Sequence, residues 1–180
     1  QEKFQWLEYY KLKFSGSWYN TIIDKLVLKT HAEFGYLGAY NTDRGIIPFE
    51  RFYLGGDGLS QYALDGRETI AMRGYDNQSL SDRDGSTIYN KFSLELRYPI
   101  TLKPSASIFA LSFLEAGNSY NNFNKYNPFD IKRSAGFGIR IFMPAFGLLG
   151  IDFGYGFDSP AEGDLSPHGW ETHFIIGQQF

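Results

Sequence analysis

The feature that most constrains the fold is an alternation of apolar and polar side chains over long segments. In residues 9–19 the even positions are aromatic, aliphatic or glycine, whereas the odd positions include Lys11, Lys13 and Ser15. A period of two is typical of a β-strand with one apolar and one polar face. About ten residues of this pattern is long for a soluble strand but suffices to cross a bilayer when tilted. The segment therefore favours a membrane-spanning strand.

The same alternation recurs along the chain and predicts seven strands. They cover residues 9–19, 26–40, 88–100, 105–120, 131–143, 149–157 and 171–180. Short connections at 20–24, between Pro99 and Pro104, and at 144–147 alternate with long ones at 41–86, 121–130 and 158–169. Short turns on one side and long loops on the other are typical of outer-membrane barrels. We therefore predict an all-β fold, an antiparallel transmembrane β-barrel.

The two faces of the predicted strands differ in character. One face carries charges that include Lys29, Glu33, Lys91 and Arg97, whereas the other is apolar with aromatic residues near the strand ends. Hydrophobic residues make up 43% of the chain, yet mean hydropathy is −0.32, as expected when apolar and polar residues interleave. A soluble β-sandwich also alternates, but over shorter strands. It stays the soluble alternative to the barrel.

The strand count predicts that the barrel is incomplete in this chain. Bacterial single-chain barrels have even strand numbers, and an open edge in lipid leaves unpaired backbone groups that each cost several kcal/mol. Residues 1–8 are too few for a further strand and turn. We therefore expect residues 1–180 to form the C-terminal part of a larger barrel. Gln1 is not a natural start and no signal peptide is visible, so we expect a mature or cut piece.

Residues 41–86 form the longest segment without clean alternation, and they are polar and rich in glycine. A loop of this length is uncommon unless it is functional or disordered. This loop keeps many large apolar side chains, which disordered segments rarely do. They are Phe49, Phe52, Tyr53, Leu54, Leu59, Tyr62, Ile70 and Tyr75. We predict that the loop folds back onto the strands, with the stretch 67–75 at its centre.

Several motifs occur in one order and carry a resemblance to a known family. They are 48–56 (PFERFYLGG), 72–75 (MRGY), Leu94-Glu95, Glu115-Ala116-Gly117, 131–138 (IKRSAGFG) and 174–180 (FIIGQQF). The chain resembles, over essentially its whole length, the C-terminal half of the BamA family, the barrel subunits of the outer-membrane β-barrel assembly machinery. The resemblance implies a barrel of about sixteen strands in the bacterial outer membrane, of which this chain holds about seven.

The resemblance also implies roles for single residues. Arg73 corresponds to the arginine at the tip of a loop that enters the barrel lumen, with Glu95 and Glu115 as its partners on the inner wall. A guanidinium suits this task because its planar fork of donors matches carboxylates. Gly74 suits a sharp turn or a positive φ at the tip. Tyr75 gives the tip an apolar anchor.

The end of the chain is similar to the family's last strand. That strand pairs weakly with the first strand and bends at a glycine, here Gly177, to form a lateral gate. A glycine weakens a strand and permits such a bend, although a small residue filling a packing gap explains it equally well. Phe174, Ile176 and the terminal Phe180 resemble the C-terminal signal by which barrels are recognised for insertion.

The implied function is the folding and insertion of other barrels into the outer membrane, without covalent catalysis and without a cofactor. The expected partners are outer-membrane lipids, unfolded β-barrel clients and accessory assembly lipoproteins. The N-terminal part of the barrel and the periplasmic POTRA repeats are further expected partners outside this chain. A net charge of −3 and a pI near 5.6 argue against a nucleic-acid surface. A secretion transporter of the same superfamily and a passive porin are the alternatives.

Other chemistry finds weaker support in the sequence. Scattered histidines disfavour zinc, which needs three or four convergent ligands; they are His31, His168 and His173. An acidic stretch in the loop lacks the spacing of an EF-hand calcium site; it contains Asp76, Asn77, Asp82 and Asp84. An outer-membrane hydrolase would need a Ser, His and Asp set at the rim. The nearest set is Asp164, Ser166 and His168.

Overall fold

A computed structural model describes residues 9–40, 46, 48–58, 67–103, 105–144, 147–161 and 163–177. Nine strands lie in these ranges, and their bounds are β1 Tyr9–Ile23, β2 Leu26–Ala39, β3 Phe52–Leu54, β4 Glu68–Ile70, β5 Ile88–Lys103, β6 Ala106–Tyr120, β7 Lys132–Met143, β8 Gly147–Gly156 and β9 Gly169–Ile176. Single 3₁₀ turns occupy Pro48–Glu50 and Phe123–Lys125. No helix in these ranges is long and apolar enough to cross a membrane.

Seven of the strands form one antiparallel sheet in the order β1-β2-β5-β6-β7-β8-β9. Each strand pairs with the next one of the sheet along the chain, so every connection is a hairpin or a longer loop on one side. The predicted all-β antiparallel fold is therefore confirmed. In the described ranges β1 and β9 each pair on one side, and they are the two edges of the sheet.

The sheet has an apolar outer face and a polar inner face. Large side chains exposed on the outer face include Leu12, Phe14, Phe92, Leu94, Phe137 and Phe174. On the inner face the charged side chains of Lys91, Glu95, Glu115, Arg140 and Asp152 are buried. This is the reverse of a soluble sandwich, in which the apolar faces lie inside. An apolar face turned outward is what a lipid-facing wall requires.

Two predicted connections prove shorter than the sequence indicated. The connection predicted at 20–24 is wrong, because β1 continues to Ile23 and the turn is made at Asp24, whose φ is +47°. The strand predicted to end at residue 100 continues to Lys103, so the turn bracketed by Pro99 and Pro104 is also wrong. The pairing register shifts between Pro99 and Thr101. A proline lacks the backbone N–H of a regular ladder and is tolerated at such an irregularity.

The loop 41–86 has secondary structure of its own that no period in the sequence indicated. Strands β3 and β4 pair in parallel, and an isolated bridge joins Gly56 to Met72. Apolar side chains of this unit form the buried core together with two residues of the sheet. The core comprises Leu37, Phe52, Leu54, Ile70, Met72, Tyr75, Leu80 and Tyr89. Burying a large apolar side chain contributes about 1.5–3 kcal/mol, so this core holds the loop against the inner face.

Candidate functional site

The tip of the loop, Arg73-Gly74-Tyr75, lies directly on the inner face of β7 and β8. Gly74 has a φ of +86°, and a Cβ there would lie 2.9 Å from the Cβ of Ser134. The opposing positions on β8 are glycines as well. A Cβ at Gly154 would lie 2.6 Å from the Gly74 nitrogen, and one at Gly156 would lie 2.5 Å from the Gly74 oxygen. Glycine on both sides therefore permits contact between the two backbones.

This contact places the Arg73 guanidinium among three carboxylates from three strands. Its Nη2 lies 2.7 Å from Glu115 Oε1 on β6. Its Nη1 lies 3.0 Å from Glu95 Oε2 on β5 and 3.1 Å from Asp152 Oδ2 on β8. The backbone N–H of Arg73 also donates to Glu115 Oε2 at 2.8 Å. One residue of the loop thus binds three strands of the wall at once.

Further cations on the wall complete the set, which we call the arginine cluster. Arg140 donates both terminal nitrogens to Asp152, at 2.5 and 2.6 Å. Arg97 Nε lies 2.5 Å from Glu95 Oε1, and Lys91 Nζ lies 3.6 Å from Glu115 Oε1. The cluster comprises Arg73, Lys91, Glu95, Arg97, Glu115, Arg140 and Asp152. Its carboxylates are thus each shared between at least two cations.

The arginine cluster is buried except for Arg97, whose side chain is 28% exposed, and this burial determines how much the ion pairs contribute to stability. The Asp152 side chain is 0% exposed and that of Glu115 is 2% exposed. Burial disfavours a charged guanidinium, but the carboxylates of Glu115, Glu95 and Asp152 outweigh it and raise the pKa of Arg73. The guanidinium also lies over the ring of Phe113, 3.7 Å from its centroid. Removing one partner from a buried ionic set leaves an uncompensated charge and costs about 3–5 kcal/mol.

The residues beside Arg73 fix the tip to the last strands. The Gly74 N–H donates to Nε2 of His173 on β9 at 2.8 Å. The Tyr75 hydroxyl donates to the carbonyl oxygen of Arg133 on β7 at 2.7 Å. Tyr75 is fully buried, and burial raises the pKa of its phenol to about 12. The position of the tip is therefore linked physically to β9, the edge strand.

The other side of the loop is held at the opposite edge of the sheet. Lys11 on β1 lies 3.1 Å from Glu50 Oε2 and 2.5 Å from Glu68 Oε2. Lys13 forms a second ion pair with Glu68. The ammonium of Lys11 also lies over the ring of Phe52, 4.9 Å from its centroid. The loop therefore bridges the inner face from β1 to β9.

A cavity of about 840 Å³ remains on the inner face beside the loop. Its lining is rich in charged side chains, among them Lys13, Lys29, Glu33, Glu68, Arg97 and Arg140. Such a lining suits water or a polar polypeptide better than an apolar ligand.

A comparison with protein-family models matches the Omp85 superfamily domain over residues 3–180. The chain belongs to the Omp85 superfamily. Omp85 proteins are outer-membrane β-barrel proteins, so the sheet is part of an outer-membrane barrel and its inner face lines the lumen. The superfamily indicates barrel assembly or transport as the broad function. A search of the curated proteins found no match.

The structure brings together the loop-tip and wall residues that the resemblance to BamA indicated. Arg73 contacts both Glu95 and Glu115, and Tyr75 is buried beside it. On β9 the side chains of Phe174 and Ile176 are exposed on the outer face. Gly177 follows the last strand residue with a φ of +124°, and its N–H donates to the Leu148 oxygen at 3.0 Å. Phe180 lies outside the described residues.

Sequence reasoning missed Asp152, although a signal for it was present. Residues 150–156 alternate large apolar residues with Gly150, Asp152, Gly154 and Gly156. A single acidic residue among glycines on the lumen-facing side indicates that another backbone approaches there and that a cation pairs with the carboxylate. His173 had no comparable signal, because it accepts a hydrogen bond from a loop backbone that is distant in sequence.

The structure gives most of the residues considered for other chemistry partners outside their own sets. His31 contacts Ser17 and Glu33, whereas His173 accepts the Gly74 N–H. In the acidic stretch, Asp82 accepts a hydrogen bond from the distant Asn121. In the third set, the Ser166 hydroxyl donates to Asp164 at 2.8 Å. The described partners of His168 Nε2 are instead Asp76 and Glu171.

Proposed function

We propose that this domain folds and inserts other β-barrel proteins into the bacterial outer membrane. The observation that supports this proposal most is the arginine cluster beside the last strand. Arg73 binds Glu95, Glu115 and Asp152, and the next residue of the loop donates to His173 on β9. The loop is thus fixed to the wall next to β9, the strand at which we propose that the barrel opens for its client.

Two features of the last strand support a lateral gate at this place. With 8 residues, β9 is the shortest described strand of a sheet whose other strands have 10 to 16. Gly177 follows it directly with a φ of +124°, a conformation that a β-strand does not continue. A strand edge that is released from its neighbour can accept a further strand by β-augmentation. We propose that a client strand pairs with β9 in this way.

In this mechanism the domain acts through backbone pairing and shape, without covalent catalysis. The client contributes its own hydrogen-bonding edge, and the lipids receive its apolar outer face as each hairpin forms. The arginine cluster keeps the loop against β5, β6 and β8 while β9 exchanges partners. The N-terminal part of the barrel, POTRA repeats and accessory lipoproteins are proposed partners that deliver the client.

The proposal can be tested in cells that depend on the complete protein. We expect Arg73→Glu to reduce the amount of folded client barrels in the outer membrane at least about tenfold, because it leaves buried charges of the cluster unpaired. Arg133→Glu is a matched control, because it reverses an exposed arginine of the same domain. Heat-modifiability on gels reports whether the variant protein itself is folded. It therefore distinguishes a variant that fails to fold from a folded variant that fails to assemble clients.

An Arg73→Glu protein that folds and still assembles clients at the wild-type level would contradict the proposal. An Asp152→Asn variant provides a milder test of the same cluster. It removes the charge that Arg73 and Arg140 share and keeps the side-chain size.

A second candidate, transport of a passenger polypeptide, is favoured by the lumen cavity of about 840 Å³ and its charged lining. Reconstitution of the complete protein in vesicles distinguishes the two functions. Assembly leaves a client barrel in the vesicle membrane, whereas transport delivers a passenger to the other side. A passive porin would instead conduct ions steadily, which the loop across the lumen face opposes.

A further inference from the structure

Three potential metal ligands meet at the end of the sheet that carries the long connections. Asp76 directly follows the loop tip, His168 precedes β9, and Glu171 lies within β9. His168 Nε2 lies 3.7 Å from Asp76 Oδ2 and 3.6 Å from Glu171 Oε1. One ligand atom from each residue lies within 4.8 Å of the other two. Segments distant in the sequence therefore converge on one point.

The spacing of these atoms fits a small divalent cation. Zinc binds histidine nitrogen and carboxylate oxygen at about 2.0–2.2 Å, which separates ligands around a tetrahedral ion by about 3.2–3.6 Å. The observed separations require only small side-chain adjustments. Three protein ligands leave a fourth position for water, as is common in open zinc sites. One imidazole and two carboxylates form a donor set that suits zinc and related transition metals.

The surroundings hold two of the ligands in place. The His168 ring stacks on Tyr75, with centroids 5.4 Å apart and planes inclined by 30°. Tyr75 is itself fixed by its buried position and by its hydrogen bond to the Arg133 carbonyl. Glu171 is placed by the pairing of β9 with β8. The third ligand, Asp76, is exposed and can rotate toward an ion.

Charge also favours a cation at this point. Two carboxylates face the same imidazole nitrogen, so a cation bound between them would lie next to two opposite charges. The hydrogen bond described at this nitrogen comes from the Asp76 N–H and measures 3.3 Å, which is longer than the usual length for such a bond. A metal ion would replace that weak bond with three short ones.

We propose that Asp76, His168 and Glu171 form a binding site for zinc or a similar divalent transition metal. The ion would join the loop next to its tip directly to β9, independently of the arginine cluster. It would therefore hold the last strand against the loop and restrain its movement. This site goes beyond the proposed function and does not depend on it.

Zinc titration of the purified, EDTA-treated complete protein in detergent tests the proposal. We expect calorimetry to show one zinc ion bound per chain. His168→Gln and Glu171→Gln should each weaken binding at least about tenfold. Asp164→Asn and His31→Gln are matched controls, since each changes the same residue type outside the site, and both should bind like the wild type.

Asp76→Asn keeps the test decisive if a β9 variant fails to fold, because Asp76 is an exposed loop residue. It should also weaken binding about tenfold. Absence of zinc binding by the folded wild-type protein would overturn the proposal. Equal binding by the wild type and the Asp76→Asn variant would overturn it too.

Discussion

Two arginines of this domain bind carboxylates with the same set of donors in opposite surroundings. Arg73 donates its backbone N–H and its guanidinium to Glu115, and Arg133 donates the same groups to Asp158. The backbone hydrogen bonds measure 2.8 and 2.7 Å. The Arg73 side chain, however, is 8% exposed, whereas that of Arg133 is 63% exposed. Their surroundings therefore differ far more than their geometry.

The comparison shows that hydrogen-bond geometry alone does not identify the functional arginine. Water screens an exposed ion pair and solvates each partner after the pair breaks, so such a pair contributes little. A buried set has no such alternative, and loss of one member leaves its partners unpaired. Arg73 also binds three strands, whereas Arg133 binds the loop that directly follows β8. We therefore expect the position of the loop tip to depend on Arg73, and the position of the loop after β8 to depend little on Arg133.

The largest difference in stability should appear when the charge of each arginine is reversed in a separate variant. We expect Arg73→Glu to lower the free energy of unfolding by about 3–5 kcal/mol, because it places a fourth carboxylate among three buried ones. Arg133→Glu should leave stability close to that of the wild type. The temperature at which the folded form of the complete protein converts on gels measures both variants.

A charge swap sharpens this result. Adding Glu115→Arg to Arg73→Glu restores opposite charges across the same contact and should recover part of the lost stability. If the swap is no more stable than Arg73→Glu alone, the loss does not arise from charge pairing at this position.

A smaller effect should follow from a methyl group at the tip. Gly74→Ala forces a positive φ on a residue with a Cβ, at about 1–2 kcal/mol, and pushes the tip away from β7 and β8. Gly163→Ala is the control, because Gly163 has a φ of +79° but nothing within 4 Å of its Cβ position. Chemical denaturation should show a clear excess loss for Gly74→Ala. Equal losses would mean that the tip does not need close contact with the wall.

Loss of the ion pairs at β1 should lower stability by an amount between the effects of reversing Arg73 and of reversing Arg133. The side chains of Lys11 and Glu68 are 18% and 22% exposed, between the values for the two arginines. Lys11→Met removes two ion pairs but leaves Lys13 beside Glu68, so we expect a loss of about 1 kcal/mol. Chemical denaturation of the wild type and the Lys11→Met variant in parallel measures this loss. A loss as large as that of Arg73→Glu would show that exposure does not rank these contacts.

The smallest effect should be a dependence of stability on pH that arises from the ion pair of Arg133 with Asp158. Hydrogen bonds from Arg133 hold the pKa of Asp158 below its usual value. The resulting stability is therefore complete above the unfolded pKa of about 3.9 and is lost as the pH falls through the folded pKa. Asp158→Asn should remove this small acid-dependent part. If the variant loses stability with falling pH as the wild type does, the Arg133–Asp158 pair does not contribute to the pH dependence of stability.

Much of the wall could be predicted from the sequence, because alternation at period two records which side chains face lipid. The ends of strands were less certain, since Asn20 and Thr21 are polar yet pair in regular register. The loop core was predicted only in outline. Strands of three residues, such as β3 and β4, are too short to show any period.

The candidate site was accessible to sequence reasoning mainly through resemblance. The residues of β6 are apolar on both faces, so alternation alone did not decide which face Glu115 joins. The contact of Arg73 with Asp152 and that of Gly74 with His173 join residues far apart in the chain. Both depend on the loop returning across the sheet, which no local pattern specifies.

The most direct test of the central claim is a side-by-side measurement of Arg73→Glu and Arg133→Glu in the complete protein. The quantity is the temperature at which the folded band converts to the unfolded one. The buried arginine cluster predicts a large fall for Arg73→Glu and little change for Arg133→Glu. Equal behaviour of the two variants would contradict the claim that the buried Arg73 holds the loop against the barrel wall.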